Sequence, residues 1–266
     1  MDDSSKHVVI TGSTRGIGYG LAEAFLALGC TVTISGRGET AAHQAAAKLA
    51  ERFGAQRVIG IPCDVNDPAA LQELWNASIK RFNKVDLWIN NAGWSGEQGM
   101  VWERPSAEVD SIVSTNITGS IYGAQTAMRG MLKQGFGAIY NMQGMGADGR
   151  KHAGLAVYGT TKYAVHYFTQ SLALEAKGTP VVIGGLRPGM IVTDMIFDRY
   201  KDRPADFARA KPIFNIIAER VENVAPWLAG RMLANKRNGA ILSYSSSPKL
   251  LWRFISQPFV RRDLFS

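Results

Sequence analysis

Thr11-Gly12-Ser13-Thr14-Arg15-Gly16-Ile17-Gly18 is the stretch on which the reading of this chain turns. It lies between a β-rich run, 7–11, and a segment with helical spacing of apolar residues, 17–28, which Gly29 closes. Glycines let the backbone turn tightly and approach an anionic group closely. The helix that follows offers free N–H groups and the positive end of its dipole. A glycine-rich stretch can be a plain tight turn, but its place between strand and helix favours a cradle for a dinucleotide pyrophosphate. The spacing here is G-x-x-x-G-x-G, which differs from the commoner dinucleotide spacing.

Outward from this turn, strand-like and helix-like stretches alternate. Strands are expected at 31–35, 57–61, 85–89, 138–142, 181–186 and 240–244, and helices at 39–53, 67–82, 106–134 (broken near Asn116) and 155–177. This predicts an α/β fold: a doubly wound parallel sheet of about seven strands between two helix layers. A single domain is expected over 1–249, with no linker between its halves. Residues 190–217, with Pro204 and Pro212, read as irregular, and 190–220 is expected to act as a lid over the site. A basic, aromatic tail occupies 250–266.

Composition narrows the class. The chain has 266 residues, 46% hydrophobic and 20% charged, enough apolar material for a sizeable core. Disorder, collagen and coiled coil are excluded as the main architecture. Two cysteines, Cys30 and Cys63, make no disulfide framework, so a reducing, cytoplasmic setting is expected. Residues 1–6 carry acids and no apolar run, so no signal peptide is expected. No apolar run approaches the roughly 18 residues of a membrane span. The net charge is +8, and 236–266 carries six basic residues against the single acid Asp263. Zinc-finger spacing, an aromatic RNA-binding signature and a long basic helix are all missing, so no nucleic-acid partner is expected. The four histidines show no metal-ligand spacing, and no metal is expected.

The end of the second strand refines the ligand. A cofactor without a 2′-phosphate usually meets an Asp or Glu there. Here the residues are Ser35, Gly36 and Arg37. Arg37, with Arg15 from the glycine turn, favours NADP(H). Further on, Tyr158 and Lys162 stand four residues apart, on one face of a helix. A nearby cation favours phenolate and lowers the tyrosine pKa toward working pH, which suits proton donation to a carbonyl during hydride transfer.

With the glycine turn, Asn90-Asn91-Ala92-Gly93 and Asn116, this pair makes the chain resemble the classical short-chain dehydrogenases/reductases over about residues 7–245. The resemblance implies a Rossmann-type fold and several roles. Gly12 to Gly18 would hold the pyrophosphate, and Asp64 and Val65 would contact the adenine. Asn91, Ala92 and Gly93 would line the adenosine ribose and nearby cofactor. Pro188, Gly189 and the chain to Thr193 would hold the nicotinamide carboxamide. Tyr158 would be the acid, Lys162 would tune it and bond the nicotinamide ribose, and Asn116 would hold a water that relays protons to Lys162. Pairing through the helices holding 116–134 and 158–177 implies a homodimer or homotetramer.

One part departs from that pattern. The family's catalytic serine lies at the end of the fifth strand, and no residue from 138 to 158 is a serine. Gln143, whose amide N–H₂ can donate to a carbonyl, is the leading replacement. A backbone N–H of the glycine-rich turn, or no replacement at all, are the alternatives. The altered stretch, Asn141-Met142-Gln143-Gly144-Met145-Gly146, resembles the chlorophyll(ide) b reductase branch, as does Phe214-Asn215-Ile216-Ile217-Ala218-Glu219. That branch implies NADPH-dependent reduction of the ring-B formyl group of chlorophyll b to hydroxymethyl. Other readings are a reductase of another hydrophobic ketone or aldehyde, such as a 3-oxoacyl chain, and a catalytically silent NADPH-binding protein. Trp94 and Met100 would furnish an apolar wall for a hydrophobic substrate. The tail mixes Trp252, Arg253 and Phe254 with Phe259, Arg261 and Arg262; peripheral contact with a membrane surface, cover for a pocket and packing on a neighbouring subunit all fit it.

Overall fold

The computed structural model describes residues 5–202, 204–245, 252, 253, 255 and 262–265. Residues 1–4, and the tail residues Leu250, Leu251, Phe254, Phe259 and Arg261, lie outside the described set.

One histidine and three apolar residues build β1 (His7–Ile10), and all four are buried, the His7 ring bonded to Thr31 Oγ1 and Thr33 Oγ1. A run without alternation marks a strand covered on both faces. Val8 and Ile10 enter one core layer and Val9 the other. The remaining strands are β2 (Thr31–Gly36), β3 (Val58–Pro62), β4 (Leu87–Asn90), β5 (Gly137–Met142), β6 (Val181–Arg187) and β7 (Ala240–Ser243). They form one parallel sheet in the order β3-β2-β1-β4-β5-β6-β7. The order reverses between β1 and β4, which opens a crevice at the carboxyl ends of those strands.

Helices cover both faces, giving a single three-layer α/β domain. On one face α1 (Gly16–Ala27), α2 (Glu39–Phe53) and α9 (Val221–Ala234) bury Leu21, Phe25, Leu49 and Leu228. On the other, α3 (Pro68–Phe82), α5 (Gly119–Gln134) and α6 (Ala156–Glu175) bury Leu74, Trp75, Met131 and Ala173. Each large apolar side chain so buried contributes roughly 1.5–3 kcal/mol. Asp67 caps α3 by accepting from the Ala69 N–H at 2.8 Å, with Pro68 in the first turn.

The break near Asn116 takes a specific form. Helix α4 (Ser106–Val113) runs through a π turn, Ser114–Thr118, into α5. The sequence reading needs correction in the lid. Residues 190–217 are not irregular: they hold α7 (Asp194–Tyr200) and α8 (Pro204–Ile217). Pro204 opens α8, where a missing N–H costs nothing, and Pro212 is tolerated inside it. Helix α9, unassigned from sequence, likewise carries an internal proline, Pro226. Among the described residues no helix is long and apolar enough to cross a membrane.

Candidate active site

The glycine turn is built into the crevice by hydrogen bonds to the strands on either side. Ser13 N–H donates to Ser35 O at 2.8 Å, and Ser35 N–H donates to Ser13 Oγ at 3.0 Å. Asn91 and Ala92 N–H donate to Thr11 Oγ1 at 3.0 and 3.1 Å. Gly12 has φ +60°, and a Cβ there would lie 2.6 Å from Ala92 Cα. Only glycine fits both demands. A Cβ on Gly18 would lie 2.5 Å from Asn91 Nδ2, so this glycine lets the helix pack against the β4 end.

Gly16, also at positive φ, begins α1, and Ile17 is half-buried behind it. Arg15 occupies the N-cap without a side-chain capping bond, and no acid stands in the first turn. The helix start therefore presents its N–H groups and positive dipole end to a ligand phosphate. Asn91 donates its Nδ2 to Thr11 O and Gly12 O, both at 2.9 Å, while its buried Oδ1 has no partner. That orphan acceptor suits a ribose hydroxyl. Thr14 packs on Gly36 beside the exposed Arg37. Arg15 reaches Asp194 at 3.6 Å, both well exposed. Asp64 accepts from Asn66 N–H at 2.9 Å, and Val65 is buried against Gly119. Residues 188–193, beginning with Pro188 and Gly189, leave the end of β6 and bring Thr193 to 3.7 Å from a Cβ position on Gly16. The residues present fit a phosphorylated dinucleotide.

The tyrosine–lysine pair lies on α6. Helix α6 carries Tyr158 and Lys162 on one face, 8% and 5% exposed. Lys162 Nζ donates to Met142 O at 3.1 Å and lies 5.7 Å from the Tyr158 ring centroid. Burial pulls the Lys162 pKa down to about 8. Gly93 completes the group: a Cβ there would lie 3.4 Å from Lys162 Nζ and 2.9 Å from Asn116 Oδ1. Asn116 is fully buried in the π turn; its Oδ1 accepts from Trp94 N–H at 3.0 Å, and its Nδ2 donates to Trp94 O and Thr161 Oγ1 at 3.0 and 2.9 Å. Gly99 N–H and Arg104 Nη2 both donate to Gly154 O, at 3.3 and 3.2 Å, tying the segment after β4 to the turn before α6.

Gln143 does not join this group. Its Oε1 accepts from Arg187 Nε at 2.8 Å, and its Nε2, without a hydrogen-bond partner, lies against Gly185 of β6. The partner is the reason: Arg187, at the end of β6, holds the Gln143 side chain over the neighbouring strand. Arg187 also donates to Ala147 O at 3.2 Å and contacts His166 Nδ1 at 3.3 Å. Burial and the Arg187 charge hold His166 below the usual histidine range. The residue beside the phenol is Gly144, where a Cβ would lie 2.6 Å from Tyr158 Oη. Nothing in the sequence singles out Gly144 or Arg187 as neighbours of the phenol and of Gln143.

The described part of the tail folds back on the lid of the same chain. Arg253 and Arg262 both pair with the buried carboxylate of Glu219, Arg262 at 3.1 Å. Phe265 joins an aromatic cluster with Phe197, Phe207 and Phe214. Trp252 and Ile255 remain exposed.

Comparison with known proteins agrees with this geometry. The short chain dehydrogenase family profile matches residues 6–204. The chain is 32% identical over 267 residues to a probable chlorophyll(ide) b reductase, chloroplastic, of Arabidopsis thaliana, covering 94% of this chain and 53% of the relative. It thus spans about half the length of that relative. It is 35% identical over 240 residues to a second chlorophyll(ide) b reductase of Arabidopsis thaliana, covering 88% of this chain and 67% of the relative. Among solved structures, an actinorhodin polyketide ketoreductase with NADPH superposes with TM-score 0.81 at 26% identity, covering 91% of this chain and 96% of that one. With the glycine turn, Asn116, Tyr158 and Lys162 assembled around one crevice, this chain belongs to the short-chain dehydrogenase family.

Proposed function

We propose that this chain is an NADPH-dependent reductase of a carbonyl on a hydrophobic substrate, and that the carbonyl is the ring-B formyl group of chlorophyll b or chlorophyllide b. The observation that carries it is the buried Tyr158–Lys162 pair beside a glycine, Gly144, in place of a serine-bearing turn. Similarity to two chlorophyll(ide) b reductases supports the substrate class.

When bound, the dinucleotide supplies the hydride. Arg37 and Arg15 favour the 2′-phosphate, and the start of α1 takes the pyrophosphate. Tyr158 Oη passes its proton to the carbonyl oxygen. The Lys162 cation stabilises the negative charge left on the phenol oxygen and bonds the ribose. Asn116 fixes the Trp94 backbone and Thr161, holding the crevice wall and the catalytic helix together; a water relay from there to Lys162 belongs to the same reading. Trp94 and Met100, both exposed, offer the substrate an apolar wall.

A homodimer or homotetramer is also part of this reading, supported by exposed Tyr163, Tyr167 and Leu174 on α6. A reducing, cytoplasmic setting is supported by the free, buried Cys30 and Cys63, and peripheral membrane contact by exposed Trp252 and Ile255 of the tail.

The test is NADPH consumption by purified protein with chlorophyllide b in detergent, with the product identified by absorbance and chromatography. The hydroxymethyl product is expected, and Tyr158→Phe is expected to lower turnover by about 100-fold or more. NADPH binding without product would overturn the substrate and send the search to 3-oxoacyl chains and other hydrophobic carbonyls. NADPH binding with no carbonyl reduced, and Tyr158→Phe without effect, would make the protein a silent dinucleotide binder.

A further inference from the structure

The lid has a neck. Where the chain enters the lid, Ile191 forms a β-bridge with Glu219, where the chain leaves it. Glu219 N–H donates to Met190 O and Val192 N–H donates to Glu219 O, both at 3.0 Å. Everything between, α7 and α8 included, is a loop closed by this bridge. Residues 188–193 are also the segment assigned to the nicotinamide end of the cofactor, so what fixes the neck fixes that segment.

The Glu219 side chain does not face solvent. The residue is 6% exposed, yet its carboxylate stays charged: burial would raise its pKa, but bonds from Asn223, Arg220 N–H and Arg253 hold it below the usual range. Asn223 Nδ2 donates at 3.0 Å. Two of the carboxylate's partners, Arg253 and Arg262, come from the tail. Their remaining donors reach the end of α8: Arg262 Nη1 donates to Ile216 O at 3.1 Å and Arg253 Nη1 to Ala218 O at 3.4 Å. Two cations thus sit on the negative end of a helix dipole and on a buried anion at once. Leu264 N–H donates to Asn215 Oδ1 at 2.9 Å, and Lys211 pairs with Asp263 at 3.5 Å. The Phe265 ring stands 5.6 Å from that of Phe207 and 6.1 Å from that of Phe214, both on α8.

We propose that Arg253 and Arg262 are positioning residues that clamp the neck of the lid through Glu219, so that the tail sets how tightly the site holds NADPH and its hydrophobic substrate. The substrate half of this rests on the reductase reading; the NADPH half rests only on the family's cofactor site. An arginine pair that neutralises a buried carboxylate does not tolerate loss, because the anion is left buried and unpaired.

The test compares the full chain with the double variant Arg253→Ala, Arg262→Ala and with its lysine counterpart. Three readouts are used: NADPH Kd by fluorescence, KM and kcat for the carbonyl substrate, and chymotrypsin cleavage at the aromatic residues of 194–217. In the alanine pair Kd and KM are expected to rise about tenfold, with kcat within about twofold. The lid is expected to be cut faster. The lysine pair, which keeps both charges, is expected to recover part of each effect. Unchanged Kd, KM and cleavage would overturn the proposal. So would a fall in kcat with a lowered Tm and no rescue by lysine, which would make the tail a general part of the core. NADPH affinity and lid cleavage need no turnover, so a wild-type protein that reduces no carbonyl would sink the reductase reading while leaving the clamp under test.

Discussion

Gly144 and Tyr158 approach each other so closely that a Cβ on the glycine would stand 2.6 Å from the phenol oxygen and 3.3 Å from Lys162 Cγ. The turn has brought its own backbone to the phenol. Gly144→Ser therefore does not restore a hydroxyl beside the carbonyl; it displaces the acid. We expect Gly144→Ser and Gly144→Ala each to lower kcat by about 100-fold, with NADPH Kd unchanged. Steady-state kinetics beside a binding titration decides it. A serine variant at or above wild-type kcat would show that the turn makes way for a side chain.

Lys162 is a cation kept where folding alone would not put one. Its pKa, lowered from 10.5 to about 8 by burial, means the unfolded chain holds the proton more tightly. The penalty is complete below about pH 8 and is relieved between there and 10.5, as the folded lysine gives up its proton first. Lys162→Met is expected to raise Tm at pH 7 while abolishing turnover. That gain shrinks as pH rises above 8. Thermal melts of both proteins from pH 6 to 10 test the sign; a variant less stable than wild type at pH 7 would contradict it.

The proposed preference for NADPH rests on exposed charge. Arg37 follows β2 and has no acid beside it in the chain. Arg37→Ala is expected to weaken NADPH about tenfold and to leave NADH nearly unchanged, because only the 2′-phosphate loses a partner. The ratio of kcat/KM for the two cofactors reads this directly. An equal fall for both would place Arg37 elsewhere on the dinucleotide.

Asn116 bridges the loop after β4 to α6 with three hydrogen bonds at full burial. Asn116→Ala leaves Thr161 and the Trp94 backbone short of partners, at a cost of about 2–4 kcal/mol. Urea unfolding should show the midpoint fall with the slope unchanged.

Much of the scaffold is legible in the chain because its signals are local. The buried parallel strand β1 announces itself by the apolar run 8–10, and Gly29 and Gly135 stop their helices where the pattern ends. The break at Asn116 was visible as a disturbance, though not as a π turn. The lid was misread because proline is scored as a breaker, and α8 and α9 each carry one inside. The site divides in the same way. Tyr158 and Lys162 share one helix face, so spacing alone joins them. Gln143 has an amide of the right chemistry, but the partner that holds it, Arg187, lies 44 residues on, and no local signal announces that pairing. The tail's partners are invisible locally: Arg262 and Glu219 are 43 residues apart, and only the folded lid brings them together.

The glycine turn is completed by residues far along the chain. β1 lies between β2 and β4, and its turn is sealed by Asn91 and Ala92, which bond Thr11 across 80 and 81 residues. Closing so long a loop costs entropy before any bond repays it. The first strand, turn and helix are therefore expected to lack a stable shape of their own until β4 is in place. An isolated fragment ending before β4 should bind no dinucleotide, and refolding of the full protein should regain cofactor affinity only in its slow phase, after the middle of the sheet has assembled.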